Sequence, residues 1–272
     1  MPRFTLSLVL CLCLSVAAHA DAISVICWNI ERGFSPDANP YYVAMRVSQM
    51  PQYDLWGFSE VSRSDFSLLE ESCEFNNDDD YQRIEGGKSS DHLLVVYNSV
   101  RLEKLQSLEL ITIEDGVGNQ PFNRQNIRPP LGGKFKDKSS GQEFYFFVNH
   151  FHRGNAENRQ RQSRALMRWA QRADAPVIVT GDFNFDWDID LRAGNRAFDI
   201  FTQGNQFDWI EPQRLIKTQS SPRYNSILDF IFIAKAPTVW SATSSILVTP
   251  GDDRDNETIP DHRPVEGLIH LN

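Results

Sequence analysis

Short apolar runs recur along the chain, and each is closed by turn-forming residues. They are Ile23–Trp28, Leu55–Phe58, His92–Tyr97, Leu105–Ile113, Phe144–Val148, Val177–Thr180, Leu228–Ile233 and Ile246–Val248. Their length and their content of Val, Ile and Phe predict β-strands. Two segments predict helices. Tyr41–Gln49 has mixed apolar spacing. In Ala156–Arg172, Ala165, Leu166, Trp169 and Ala170 form one stripe, and Arg161, Arg164, Arg168 and Arg172 form another. The arginine stripe reads first as a solvated face and second as a wall of a substrate groove. A loop rich in Gly and Pro is expected over Glu114–Gly133, and acidic runs stand at Asn76–Asp80 and Gly251–Glu257. No internal repeat or low-complexity linker divides the chain. One domain of strands in sheets, with a few helices outside, is expected.

The first twenty residues stand apart. Arg3 precedes an uncharged apolar run from Phe4 to Ala18, and Ala18-His19-Ala20 has the small-x-small form of a cleavage site. This predicts a secretory signal peptide over 1–20, a domain over 21–272, and a secreted or periplasmic protein. The run is shorter than the roughly 20 apolar residues a spanning helix needs, and no later stretch approaches that length. No integral membrane segment is therefore expected in the mature chain, and a monomer is the expected assembly. Of the four cysteines, Cys27 and Cys73 remain after cleavage. Export would permit a disulfide, but Cys27 lies inside a strand candidate, so buried free thiols are the favoured reading. Hydrophobic residues make up 41% of the chain and aromatics 11%, enough for a large core and too much for disorder. The net charge of −9 excludes a generic basic nucleic-acid coat. It does not exclude a nucleic-acid substrate, because bound divalent cations can supply positive charge.

Residues of catalytic type collect at the C-terminal ends of the apolar runs. Ile23–Trp28 is followed by Asn29 and Glu31, Leu55–Phe58 by Glu60, Phe144–Val148 by Asn149, His150 and His152, and Val177–Thr180 by Gly181-Asp182-Phe183-Asn184. Asp229 lies inside Ile-Leu-Asp-Phe-Ile-Phe-Ile, where an unpaired carboxylate would be costly to bury, so a partner such as a histidine is required. Near the end comes Pro260-Asp261-His262-Arg263-Pro264. Taken singly, most of these have bland readings: Asn29 a turn residue, Glu60 a solvated strand end, Asp182 and Asn184 a plain turn, His150 and His262 core histidines. Jointly they form an oxygen-rich set suited to a hard cation, with two histidines suited to proton transfer. No serine elbow or catalytic thiol is visible. Water is the expected nucleophile, in metal-assisted hydrolysis of a phosphate ester.

The motifs Ile-Cys-Trp-Asn-Ile-Glu, Gly-Phe-Ser-Glu, Val-Asn-His-Phe, Thr-Gly-Asp-Phe-Asn, Leu-Asp-Phe-Ile-Phe and Asp-His-Arg-Pro-Val follow one another from Ile23 to Val265. In this order they resemble the endonuclease/exonuclease/phosphatase superfamily, the deoxyribonuclease I-like proteins. The resemblance implies an α/β fold of the α+β type: a four-layer sandwich of two packed mixed β-sheets flanked by helices. It implies metal-binding positions at Asn29 and Glu60, with Asp261 a second metal-side or base-side carboxylate. Asp182 would activate or orient the attacking water, and Asn184 would hold the phosphate. His262 would contact the scissile phosphate, oriented by Asp229. His150 would stand near the leaving group, with Asp91 as its paired acid. Arg128, or Arg124 in competition with it, would point toward the phosphate, and Arg32 would meet a substrate groove. His152 stands where relatives often carry lysine. The implied cofactor is a divalent metal, Mg²⁺ first, with Mn²⁺ or Ca²⁺ open.

The resemblance specifies chemistry more sharply than substrate. The two-histidine pattern and the compact length favour a nuclease acting on DNA, with RNA open. A phospholipid head group is the runner-up, but that branch adds an exposed aromatic hairpin. The nearest candidates, Phe185/Trp187 and Phe207/Trp209, read as wall or core aromatics. Soluble inositol phosphates are a third possibility, though no strongly basic pocket is visible. A non-catalytic binder is disfavoured because the motif set is intact.

Overall fold

The computed structural model describes residues 22–33, 38–75, 79–87, 91–114, 119–122, 128–252 and 258–271. The expected signal peptide, Arg124 and most of the two acidic runs lie outside the described residues. The first sheet is built from β1 (Ala22–Asn29), β2 (Leu55–Val61), β3 (Tyr81–Glu85), β4 (His92–Asn98), β13 (Ser241–Ile246) and β14 (Val265–His270). The second is built from β5 (Leu102–Glu109), β8 (Leu131–Asp137), β9 (Glu143–His150), β10 (Val177–Asp188), β11 (Asp208–Trp209) and β12 (Ser226–Ala234). A small ladder joins β6 (Thr112–Glu114) to β7 (Asn119–Pro121).

The strand orders are β13-β14-β1-β2-β4-β3 and β11-β12-β10-β9-β8-β5. Each six-stranded sheet has one parallel pair at its centre, β1/β2 in the first and β9/β10 in the second, with antiparallel strands outward. The two central pairs pack face to face. A Cβ placed on Gly57 of β2 would come within 3.0 Å of both Thr180 of β10 and Val148 of β9.

This packing explains why the strands read as continuous apolar runs. Along β1, Ile23, Val25 and Cys27 enter the core between the sheets, while Ile26 and Trp28 enter a second core under α1 (Pro40–Gln49) and α2 (Phe66–Glu74). A strand buried on both faces loses the polar alternation that marks a half-solvated one. On the far side, α3 (Ala156–Arg172) and α4 (Arg196–Thr202) cover the second sheet. Asn39, Asn155 and Asn195 cap α1, α3 and α4 by accepting backbone N–H groups at their first turns.

Some expectations need correction. The run Leu105–Ile113 yields an edge strand, β5, whose residues after Leu102 are exposed or half-buried, because no strand lies beyond it. Ile246–Val248 contributes only its first residue to β13. The loop expected over Glu114–Gly133 ends in the first residues of β8. Cys27 and Cys73 are buried free thiols in different cores, and burial pushes both thiol pKa values up. Among the described residues, no helix is long and apolar enough to cross a membrane.

One buried ion pair ties the outer edge of the second sheet to the loop before β5. Asp137 accepts Arg101 Nε at 2.9 Å and hydroxyl groups of Ser139 and Ser140 at 2.7 and 2.6 Å. Burial alone would raise its pKa, but the hydrogen bonds from Ser140, Arg101 and Ser139 outweigh burial and hold it at about 2. A carboxylate depressed below its unfolded value of about 4 stabilises the fold above that pH and loses the contribution as pH falls through 2. Asp137→Asn is therefore expected to lower the unfolding free energy by about 2 kcal/mol at neutral pH. Urea denaturation in a pH series should show this deficit shrinking between about pH 4 and pH 2. A deficit constant across that window would contradict the assignment.

Candidate active site

Asn29 and Glu60 close the parallel pair of the first sheet, and His150 and Asp182 close that of the second. Because the central pairs pack face to face, these four side chains meet. Asn29 Nδ2 donates to Glu60 Oε1 at 3.0 Å and to Asp182 Oδ2 at 3.3 Å. His150 Nε2 lies 3.4 Å from Asp182 Oδ2 and 3.6 Å from Glu60 Oε1. From the side, Asp229 on β12 and His262 before β14 join them. His262 Nδ1 and Asp229 Oδ2 are hydrogen-bonded at 2.7 Å, and His262 Nε2 faces Asp182 Oδ2 at 4.0 Å. Asp229 thus has the histidine partner its buried position requires.

The backbone is bent to make this arrangement. The ladder between β10 and β12 breaks between Asp182 and Trp187, and that between β2 and β4 breaks between Phe58 and Val61. Inside these breaks Glu60, Asn184 and Asp186 have positive φ, as do Glu31 and Arg128 nearby. Non-glycine residues adopt that region at a cost, and such strain concentrates at functional sites. The bulge in β10 is anchored from below. Phe183 and Phe185 are fully buried and pack against Phe151, Phe201, Phe230 and Phe232. In Asp-Phe-Asn-Phe-Asp the rings point into the core while Asp182 and Asn184 line the centre. Asn184 N donates to Asp182 Oδ1 at 2.9 Å, and Asn184 Nδ2 donates to Phe151 O at 3.1 Å.

The two histidines are pushed in opposite directions. Burial drives the His150 pKa well below the ordinary value, reinforced by Arg128 and His262. Arg128 carries only donors, so its Nη1, 3.0 Å from His150 Nδ1, makes that nitrogen an acceptor. His150 is then neutral, with its proton on Nε2 facing the carboxylates. Burial also opposes charge on His262, but Asp229 outweighs it, with help from Asp261 and Asp182, and the pKa lies well above the ordinary value. Burial raises Glu60 too, with Asp91 adding to it. Asp182 is pushed up to about 7, by burial first, with Asp229 and Glu60 adding to it against the opposing pull of His262.

Such a crowd of carboxylates fits a divalent cation, whose charge would favour their ionised forms. The ligand atoms of Asp182, Asp229 and His262 lie within 4.8 Å of one another, a possible metal-holding group. However, the short His262–Asp229 hydrogen bond already engages two of its members. Glu60 accepts the Asn29 amide at Oε1, and both oxygens of Asp182 accept hydrogen bonds, from Asn29 and from Asn184 N–H.

The structure gives several of the expected residues specific partners. Asp91 does not touch His150 directly: Arg128 Nη1 stands between them, bonded to both. The guanidinium thus braces His150 at the edge of the site. Arg32 is paired with Asp65 at 3.0 Å and donates to Ala38 O. Asn29 turns its amide nitrogen to the carboxylates, and its oxygen accepts Glu31 N–H, so it bridges the two acids. Asp261 stands on the His262 side, 3.9 Å from Nε2, with Gln219 donating to its other oxygen and its own N–H donating to Glu31. Arg164 and Arg172 of the predicted stripe are exposed on the helix that covers the outside of the second sheet. The arginine of α3 that reaches the site is Arg159, which the stripe reading passes over. It is buried, donates to His152 O and Arg153 O at 2.8 and 2.7 Å, and lies 3.6 Å from Asp186. Its register with Gln162, Ser163, Leu166 and Ala170, all on the buried face, was the available signal.

The Endonuclease/Exonuclease/phosphatase family profile matches residues 26–251, and the chain belongs to this family. The Asp261-His262 motif lies beyond the matched span. No curated protein matches by sequence. Among solved structures, an endonuclease/exonuclease/phosphatase from Bacteroides vulgatus is similar at 21% identity and TM-score 0.72, covering 92% of this chain and 99% of its own. A Bacteroides thetaiotaomicron mannosyl-6-phosphatase has 17% identity and TM-score 0.69, with 91% and 99% covered. The human Nocturnin catalytic domain with bound sulfate has 17% identity and TM-score 0.66, with 92% and 94% covered. These likenesses establish the deoxyribonuclease I-like sandwich, and family membership supports hydrolysis of phosphoester bonds.

Gly181 sets the position of Asp182. Its φ is +118°, and a Cβ there would lie 2.2 Å from Asn149 O. Gly181→Ala is expected to force β10 off β9, destabilising the protein by about 3 kcal/mol and displacing the carboxylate. Thermal melts and phosphoesterase assays should show both losses, and a variant with normal melting and normal turnover would contradict this role.

Proposed function

We propose that the protein is a metal-dependent phosphodiesterase whose substrate is nucleic acid, DNA in the first place, and that it acts outside the cytoplasm once its leader is removed. The observation that carries the reading is the pair of buried histidines held in opposite proton states on either side of Asp182. Titratable neighbours whose environments separate their pKa values in this way are characteristic of acid–base machinery. A phospholipid reading is less supported. Phe185, Trp187 and Phe207 are buried and Trp209 is half-buried, so these pairs present no aromatic hairpin to a membrane.

A divalent cation, Mg²⁺ foremost, would be held by Glu60 with Asp182 beside it, and would supply Lewis-acid stabilisation of the phosphoryl charge. The protein's own groups do the rest. Asp182, ionised beside the cation and facing both histidines, orients the attacking water and takes its proton. As the bond from water oxygen to phosphorus forms, the bond from phosphorus to the leaving oxygen breaks, and the leaving oxygen takes a proton from solvent, giving a phosphomonoester and an alcohol. The His262 imidazolium, fixed by Asp229, offers Nε2–H to a phosphoryl oxygen. Asn184 and the Nε2–H of His150 hold the phosphate against the same centre. Arg128 and Asp91 keep His150 neutral and oriented.

The test is hydrolysis of plasmid DNA, RNA, sphingomyelin and bis(p-nitrophenyl) phosphate with Mg²⁺, Mn²⁺ or Ca²⁺. Cleavage of nucleic acid should vanish on chelation and return with metal. His262→Ala should lower the rate by about a hundredfold or more while leaving the circular dichroism spectrum unchanged. Full activity in excess chelator, or in His262→Ala, would overturn the mechanism.

A further inference from the structure

A cavity of about 430 Å³ opens beside the catalytic centre, and Asn184 and Gln219 belong to both. Arg153, Arg223 and Tyr224 line it together with Asp186 and Asp188. The charges in this wall are not equally available. Asp186 Oδ2 accepts Asn195 Nδ2 at 3.0 Å and faces Arg159 at 3.6 Å, and Asp188 Oδ1 accepts Leu191 N–H at 2.8 Å. The side chains of Arg153 and Arg223 have neither a hydrogen bond nor an ion pair among the described residues, and both are exposed. The two arginines and two carboxylates of the lining balance formally, and Arg159 beside Asp186 tips the balance to positive, in a chain whose net charge is −9. Tyr224 adds an exposed ring at the mouth, 52% accessible. Gln219 is 4% exposed, and its Oε1 lacks a hydrogen-bond partner among the described residues.

The loops that carry these groups are held in place. Arg159 pins the Arg153 loop by donating to the carbonyls of His152 and Arg153. On the other side, Ser220 N–H donates to Asp261 O at 2.7 Å, and Lys217 Nζ donates to the carbonyls of Ser220 and Ser221. The second loop is thereby tied to the strand end that presents His262. Both arginines thus stand on loops whose backbone is tied to the surroundings of the catalytic centre.

We infer that this cavity is a subsite for a second phosphate on the substrate, one unit away from the scissile phosphate, with Arg153 and Arg223 as its anion-binding groups and Tyr224 as a stacking face for the intervening nucleotide. Planar guanidinium groups suit phosphate, and base–aromatic stacking tolerates any sequence. The inference rests on the phosphodiesterase reading above and narrows it to substrates with phosphates in series.

The test uses the whole protein with its divalent cation, and bis(p-nitrophenyl) phosphate as a reporter without a second phosphate. Adenosine 3′,5′-bisphosphate should inhibit the wild type about tenfold more tightly than adenosine 5′-monophosphate. Arg223→Ala should erase this difference while keeping turnover of the aryl diester within about twofold, and Arg223→Lys should restore part of it. Tyr224→Ala should weaken both nucleotides alike, since both carry the base. Equal inhibition by the two nucleotides in the wild type, or an unchanged difference in Arg223→Ala, would overturn the subsite. If the wild type hydrolyses no phosphodiester, the underlying reading fails. Calorimetric titration with the same two nucleotides still decides the subsite by the same comparison.

Discussion

The constraint on which the rest depends is the placement of one parallel strand pair at the centre of each sheet, with the two pairs face to face. Parallel neighbours end together, so β1 with β2 and β9 with β10 each bring two strand ends to one edge. The face-to-face packing, so close that a Cβ at position 57 would press on Thr180 and Val148, brings those two edges together. Four residues far apart in sequence, Asn29, Glu60, His150 and Asp182, then share hydrogen-bonding distance or nearly so. Antiparallel strands at the centre would have sent alternate ends to opposite sides of the sandwich.

The same geometry creates an electrostatic problem. Glu60, Asp182 and Asp229 lie where water cannot solvate them fully, and two of the three are pushed toward their neutral forms. The protein relieves this in part with His262 and with the Asn29 amide. It does not place Arg128 or Arg159 directly on the acids: each is turned to a neighbouring loop or residue. The positive charge nearest these acids is thus left to a histidine, and a bound cation would add to it. An acidic centre in an acidic chain and a phosphate substrate are compatible for that reason. The unpaired arginines lie one step outward, at the neighbouring cavity.

Support for the site comes from beneath as much as from beside it. The strained turns at Glu60, Asn184 and Asp186 interrupt regular ladders, and an interrupted ladder forfeits hydrogen bonds. The buried phenylalanine cluster around Phe183 and Phe185 holds the β10 bulge in register, and Asn195 both caps α4 and donates to Asn184 O. Polar and aromatic residues alternate there because a strand points successive side chains to opposite faces.

The sequence by itself determined most of the strands, the long helix and the identity of the central polar residues. Burial on both faces makes such strands unmistakably apolar, and a catalytic residue at a strand end interrupts the run. The requirement that Asp229 have a partner was also legible, since a lone buried carboxylate is costly wherever it lies. What the sequence left open was direction and pairing. It showed arginines at 32, 128 and 159 without telling which would face phosphate, which an acid and which a carbonyl. Arg32 went to Asp65, Arg128 to Asp91 and His150, and Arg159 to the loop behind the site. Asn29 likewise could have offered oxygen or nitrogen. These choices depend on neighbours that arrive from other strands. A long side chain reaches whichever partner the packing presents, so only the tertiary structure decided them.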